Sequence, residues 1–578
     1  MSRLAAAAVA AVGFVAGVFP IFDGDIFWHL AAGRWIAEHG ELPRLDPFRF
    51  TAPGARWIDH EWLFQLSVHG LVRAVGLDGL ILARGAALAG FGLAVFAAAR
   101  RAALAADLAG WVALAAILGV RPRFLDRPEI VTLFAVVALL SLLEQRERTL
   151  AAVSGAPRSM RWQGLVAPLA LVVVWVNFHG EALLAPVLAG LFLLGAALVP
   201  GVGARDGLRR RAAEIAGVPL LCAAALLANP HGWRLLEVPH GIRGALTELA
   251  AVNPEWLSAF RAPQPFLFGG MAAVAALAAA ARARLGRWPA PGWGLATLAL
   301  GAVALTAVRH QALFYAAGAP FAARCLGAWP EAREAAAPVR RRRVAGLAAG
   351  ALALGAWCVA PPVAGPLRPR HGGLAWGLGL AEGRFPVRAA ARLAERPEIG
   401  PLYNEFAHGG FLLWRLHPPR RVFLDGRMEL DPGLLHELAA ARRSAESWGD
   451  LLRRRGAVGA LVRYEARAVT VFELEAGGAA RPVESRTPNA FLFPTTSWDL
   501  VYWDDEAMLF LVPGTPGWDE SPYRFVQPED AAWTLRRASA DREFRAAALA
   551  EIERKLAEQP DCRRAADLRR RLLAAATS

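Results

Sequence analysis

Residues 22–36 read FDGDIFWHLAAGRWI and follow directly on the apolar run Leu4 to Phe22. A run of that length approaches the roughly 20 apolar residues that cross about 30 Å of hydrocarbon. Asp23 and Asp25 therefore stand where a first helix leaves the bilayer, a depth at which acids are costly unless they are used or paired. Only Arg3 flanks the run on its N-terminal side, and Phe-Asp-Gly-Asp stands where a small-residue cleavage site would be, so the run reads as a retained span. Beyond it the loop stays long, polar and aromatic as far as Gly79. The segments Trp28 to His39 and Glu61 to Val75 have the spacing of amphipathic helices lying along an interface, and Trp28, Trp35, Trp57 and Trp62 suit the headgroup belt.

Outward from this stretch the pattern repeats. About eleven apolar runs fall at 4–22, 80–99, 102–120, 129–143, 163–178, 182–200, 213–229, 265–281, 290–308, 311–328 and 344–363. The 55% hydrophobic content and mean hydropathy of +0.32 belong to a membrane chain, not an ordinary soluble enzyme. The net charge of +14 does not point to nucleic acid, because the arginines sit in short loops between apolar runs and form no basic stripe. Basic loops are retained in the cytoplasm. Arg100-Arg101, then Arg146, Arg148, Arg158 and Arg161, then Arg205 with Arg209 to Arg211, then Arg282, Arg284 and Arg287, and finally Arg340 to Arg343 mark alternate loops as inside. Only Arg121, Arg123 and Arg127 run against the rule. The expected fold is thus mainly α, a polytopic transmembrane helix bundle, N-in and C-out, with a C-terminal extracytoplasmic α/β domain and a helical tail. Its expected domains are 1–365, with the first outer loop at 23–79, then 366–529, then the tail 530–578.

Turn-rich sequence after Val363 predicts strands at 401–403, 421–424, 460–462, 499–503 and 507–512, with helices near 387–396, 433–443 and 446–455. The four cysteines form no CxxC pair, and three lie in apolar segments, which argues for packing and against a disulfide or zinc framework. A single lysine, Lys555, among many arginines, with abundant alanine, fits a GC-rich bacterial genome.

Chemistry-bearing residues gather in the loops read as outer. A carboxylate at Asp25 or Asp23 can deprotonate an acceptor hydroxyl or hold a divalent cation, Mg or Mn, the one cofactor these residues imply. Asp59, His60 and Glu61 return at the end of the same loop, where an N-cap and a capping-type Glu are the alternative reading. Other outer loops carry Arg127-Pro128-Glu129, His179 and Glu181 after Asn177, His231 and Arg234 after Asn229, Asn253-Pro254-Glu255, and Arg309-His310. Singly, each reads as a helix-end cap. Together they set His, Asn, Glu and Trp on one side against arginine and small residues on the other. The expected catalytic group is Asp25, Asp23, Asp59, His60 and Glu61. The expected substrate-binding group is His29, Arg127, His179, Glu181, His231, Arg234, Arg309 and His310, the arginines taking phosphate oxygens. An outward-facing enzyme has no supply of nucleotide sugars, so a donor held in the bilayer by a polyprenyl tail is the fitting substrate.

On FDGDIFWHLAAGRWI, the long first loop and the many-span architecture, the chain resembles the GT-C superfamily of polytopic glycosyltransferases. It is similar also to bacterial membrane proteins of this type that carry DHEW, RPE, WVNFHG, NPHGWR and GGFLLWRLHP…RVFLDGR in that order. The resemblance covers about two-thirds of the chain and excludes the tail. It implies inverting transfer of a sugar from a polyprenyl-phosphate donor to a glycan, lipid or protein acceptor, at the outer face of a bacterial cytoplasmic membrane. Asp25 and Asp23 then match the first-loop acid of the family. Protein mannosyltransferases carry an adjacent Asp-Glu pair there, whereas Gly24 separates two aspartates here. No Trp-Trp-Asp motif is present, which argues against N-glycosylation. In YNEFAHGGFLLWRLHPPRRVFLDGRMELDP, residues 403–432, the groups Asn404, His408, Arg415, Asp425 and Arg427 either contact an acceptor or tie strand ends together. The competing readings are a transporter or flippase of lipid-linked sugars and a noncatalytic envelope scaffold.

Overall fold

The computed structural model describes residues 2–152, 158–198, 206–244, 250, 253–334, 337–359, 376–427, 430–465, 469–474 and 480–574. Arg205, the ends of the expected spans 182–200 and 344–363, and the expected boundary at 365/366 lie outside them. The chain forms two compact units. One holds residues 1–23, 32–42 and 58–379, and the other holds 24–31, 43–57 and 380–578.

The first unit is helical, with a helix at every apolar run named above. Helices Trp62–Arg101, Gly180–Ala197, Pro265–Leu285 and Pro338–Val359 are long and apolar enough to cross a membrane, and Ser2–Gly17, Val166–Phe178 and Pro291–Thr306 are shorter apolar helices. The chain is a multi-pass membrane protein. Its first helix stops at Gly17, earlier than the apolar run, and Pro20 falls in the non-helical stretch that follows. The expected interfacial helix at 61–75 and span at 80–99 are one helix, Trp62–Arg101, broken only at Gly76 with φ 73° and ψ −178°. Small residues set the packing of the first helix. A methyl added at Gly13 would meet Ala89 Cα at 2.7 Å, and one at Gly17 would meet Gly85 Cα at 2.8 Å, so the two backbones touch along a small-residue seam.

The second unit carries a four-stranded sheet ordered β1 (Leu402–Asn404), β2 (Gly459–Arg463), β6 (Ala507–Leu511) and β5 (Asp499–Trp503). Strands β1 and β2 run parallel and the other pairs antiparallel. A separate hairpin, β3 (Val469–Leu474) with β4 (Ala480–Arg486), was not foreseen from the sequence. Residues 421–424, expected to be a strand, make only an isolated bridge at Val422 to Arg49. The tail helices Ala531–Ala540, Arg542–Glu558 and Arg563–Ala574 are built into this unit. Glu551 accepts the backbone N–H groups of Arg524, Phe525 and Val526, and Asp505 accepts those of Arg563 and Arg564.

First-loop residues 43–57 also fold here. Buried Arg427 donates from Nη1 to Asp46 Oδ1 at 3.0 Å and from Nε to Asp425 Oδ1 at 2.9 Å, while Arg49 Nε donates to Asp46 Oδ2 at 2.7 Å. The Arg427 guanidinium lies 4.4 Å from the Trp57 ring centroid and 4.9 Å from that of Phe48. Glycines of the quoted motif are explained by close approach. A methyl at Gly409 would fall 2.0 Å from the Leu424 carbonyl, and one at Gly426 would fall 2.6 Å from Asp25 Oδ1.

Candidate functional site

The turns between helices of the first unit bring their polar residues into one connected cluster. Helix Ser2–Gly17 ends near Asp23, whose carboxylate takes both Nε and Nη2 of Arg127, the latter at 2.9 Å. Arg127 Nη1 reaches Glu255 Oε2 at 3.0 Å, and Arg123 grips the same carboxylate with two nitrogens. Arg309 Nη2 donates to Glu129 Oε1 at 2.8 Å. Arg123, Glu129, Glu181 and Arg309 share the wall of one small cavity of about 10 Å³, the room one water occupies. The next link runs through His179, with Nδ1 3.5 Å from Glu181 Oε2 and Nε2 3.7 Å from Glu61 Oε1. His60 Nε2 stands 3.6 Å from the same Glu61 oxygen.

Supporting contacts hold this arrangement. Thr132 Oγ1 lies 2.8 Å from His179 Nδ1 and accepts from Trp175 Nε1 at 2.9 Å. The Trp62 indole donates to Asn177 Oδ1 at 3.1 Å. His231 Nε2 lies 2.9 Å from the Asp59 carbonyl, which joins the Asn229 turn to the end of the first loop. The Asp59 side chain is not the cap its position implied, since its Oδ1 accepts from Gln65 Nε2 and no side chain caps the helix that starts at Trp62. Asp126, behind the cluster, pairs with Arg84, a buried arginine whose guanidinium sits 3.6 Å from the Phe19 ring centroid.

Burial sets the charges. It pushes the His60 imidazole down to about 4 and that of His179 to about 3, so both are neutral near pH 7. His310 falls to about 4 through burial, with Arg309 adding repulsion. For Glu255, burial raises the pKa, but Arg127 and Arg123 outweigh it and hold the carboxyl well below its usual range. Asp126 is pushed up to about 6 by burial, against the pull of Arg84. Carboxylates clamped by arginines make poor bases, and Glu61 Oε1 stands 3.6 Å from His60 Nε2 and 3.7 Å from His179 Nε2.

Of the residues expected from sequence, Asp23, Asp59, His60, Glu61, Arg127, His179, Glu181, His231 and Arg309 meet here. His310 is next in chain to Arg309, its Nδ1 3.3 Å from Thr306 Oγ1. Arg234 is exposed, its backbone N–H donates to the His231 carbonyl, and its charge adds to the burial that lowers the His231 pKa. Asp25 and His29 belong to the other unit, Asp25 as the first residue of helix Asp25–His39 and His29 packed on the Trp28 ring at 3.7 Å. Asp425 and Arg427 serve the buried charge network of that unit, which favours the tying role over acceptor contact. Arg127 donates to both oxygens of Asp23, and among the described residues no group of three or more His, Cys, Asp or Glu is disposed to hold a metal. Sequence reasoning passed over Gln65, Arg84, Asp126 and Thr132, and it singled out Arg123 and Glu255 in the outer loops without placing them in the expected site. A lone polar residue in an apolar run is the signal that marks Arg84 and Thr132.

The fold is shared with solved structures of known membrane glycosyltransferases. It matches the archaeal oligosaccharyltransferase AglB from Archaeoglobus fulgidus, solved in complex with an inhibitory peptide and a dolichol-phosphate, with a TM-score of 0.57 at 10% identity, covering 96% of this chain and 85% of that one. A structure of the Archaeoglobus fulgidus oligosaccharyltransferase in complex with Zn and sulfate matches with a TM-score of 0.54 at 11% identity, covering 92% and 81%. ArnT from Cupriavidus metallidurans in the apo state gives a TM-score of 0.47 at 15% identity, covering 88% and 97%. No protein-family model and no curated protein sequence matches the chain.

Proposed function

We propose that this chain is an inverting membrane glycosyltransferase that moves a sugar from a polyprenyl-phosphate-linked donor to an acceptor at the outer face of a bacterial cytoplasmic membrane. In this reading about eleven spans run N-in and C-out, and the C-terminal α/β domain with its tail is extracytoplasmic. The observation that carries the proposal is the convergence of Asp23, Glu61, Arg127, His179, Glu181 and Arg309, from five separate turns, on one buried and charge-balanced cluster. The shared GT-C fold supports it, and the archaeal enzyme of that fold was solved with a dolichol-phosphate.

Glu61 is the proposed base. As the acceptor hydroxyl loses its proton to the Glu61 carboxylate, the acceptor oxygen forms a bond to the anomeric carbon. The bond from that carbon to the phosphate oxygen breaks on the opposite face, and the electron pair leaves with the polyprenyl phosphate. Arg309 and Arg123, both lining the small cavity, are the proposed partners of the departing phosphate. The His60 and His179 imidazoles, kept neutral, stand beside the carboxylate at 3.6 and 3.7 Å.

The test is transfer from a radiolabelled polyprenyl-phosphate sugar in membranes holding equal amounts of wild type, Glu61→Gln, Asp23→Asn and Asp25→Asn. Loss of a general base costs about 10²–10⁴ in rate, and that loss is expected for Glu61→Gln. Undiminished transfer by Glu61→Gln together with loss in Asp25→Asn would move the chemistry to Asp25, and transfer retained by all three would overturn the proposal.

A further inference from the structure

A groove of about 370 Å³ lies among helices Trp62–Arg101, Glu129–Ala152 and Val166–Phe178, lined by none of the acids or imidazoles of the candidate site. Along helix Glu129–Ala152 it runs from Val131 to Gln145, roughly 21 Å at 1.5 Å per residue. Small residues, Ala97 and Ala138 among them, keep the walls apart. Its two ends differ in chemistry. The end near the candidate site is walled by Phe134, Leu171, Val174 and Trp175, and the Trp175 indole N–H is already committed to Thr132. All three polar lining residues, Ser141, Gln145 and Arg101, stand toward the far end.

Two observations at that far end call for a ligand with a charged head. Arg101 is the groove's only charged lining residue, and its guanidinium makes no ion pair among the described residues. Neighbouring Arg148, by contrast, donates to the Arg101 carbonyl and pairs with Glu144. The Ser141 hydroxyl, 7% exposed, finds no hydrogen-bond partner in the helix or across it. A long apolar channel with a cation and an unsatisfied hydroxyl at one mouth matches a lipid chain with an anionic head.

We propose that this groove is a binding site for an anionic phospholipid, whose phosphate meets Arg101 and whose acyl chain lies along helix Glu129–Ala152 toward Trp175. The polarity of the groove sets the head at the end opposite the carboxylate and imidazole cluster, so this lipid is distinct from a sugar donor reacting there. Occupancy would brace the helix that carries Glu129 and Thr132.

The test uses the full chain in phosphatidylcholine nanodiscs, titrated with phosphatidylglycerol and read by native mass spectrometry. Phosphatidylglycerol is expected to bind saturably in preference to phosphatidylcholine. Arg101→Gln should weaken it about fivefold, as removal of one basic contact to an anionic headgroup does. Ala138→Phe should fill the channel and abolish binding. Ala97→Leu is the milder partner should Ala138→Phe fail to assemble, and should weaken binding in a chain with unchanged helicity. Equal affinity of wild type and Arg101→Gln, or equal retention of the two phospholipids, would overturn the proposal. Displacement of phosphatidylglycerol by polyprenyl phosphate in an Arg101-dependent manner would overturn it in favour of the carrier lipid. Because the readout is binding, these outcomes do not depend on sugar transfer.

Discussion

A single side chain in this protein is defined by what neutralises it. Asp46 is held between Arg427 and Arg49 with no contact to water, and burial, which raises its pKa, is outweighed by the two guanidinium groups, which lower it. Removing one member of a buried ion pair leaves the other charge stranded, at about 3–5 kcal/mol. Asp46→Ala should therefore lower the stability of the second unit by that amount in denaturant titration, and Asp46→Ala with Arg427→Met should recover part of the loss. Glu405 shows the opposite balance. Burial pushes its carboxyl up to about 7, with Arg463 only partly opposing. Between pH 4.5 and 7 the folded state then holds a proton that the unfolded chain releases, so stability falls as pH rises through this window. Glu405→Gln should remove that part of the slope, raising stability at pH 8 relative to wild type by about 3 kcal/mol. A wild-type and variant pair with parallel pH profiles would count against this.

Elements of this fold are placed by glycine and broken by it. Gly409 lies on helix Phe406–Leu416 where a methyl would enter the Leu424 carbonyl at 2.0 Å, so Gly409→Ala must push the helix away from the 422–427 segment. Gly76 faces open space and differs only in its φ of 73°. Gly76→Ala should cost about 1–3 kcal/mol in backbone strain, while Gly409→Ala should cost more and reduce expression. Thermal unfolding of the two variants side by side checks the ranking. Apolar runs made the helices legible, because a span needs length and composition and little else. The hairpin at 469–486 was not legible, since β4 carries three charges and a proline and the pair lacks the clean alternation of a half-buried strand. Segment 43–57 was invisible for a different reason. Its partners lie hundreds of residues away, and no local pattern records such a distance.

At the scale of the whole molecule, the gathering of His, Asn and Glu in alternate loops could be read from the sequence. The pairing inside the cluster could not, because which arginine clamps which carboxylate depends on how helices pack. Sidedness is testable directly, because the four native cysteines are buried. Single cysteines at Glu41, Trp233 and Glu446 should react with a membrane-impermeant maleimide in intact cells, and one at Arg287 only after permeabilisation. Protection of Trp233→Cys alongside labelling of Arg287→Cys would reverse the proposed orientation. The Asp46–Arg427 pair, 381 residues apart in sequence, also constrains biogenesis. A ribosome adding about 5–20 residues per second delivers Arg427 roughly 20–80 s after Asp46 has emerged. For that interval the early loop must wait with a carboxylate that has Arg49 but not its distant mate, so its maturation is timed by the far end of translation, and a nascent chain released too soon would leave the beginning of the protein unfinished.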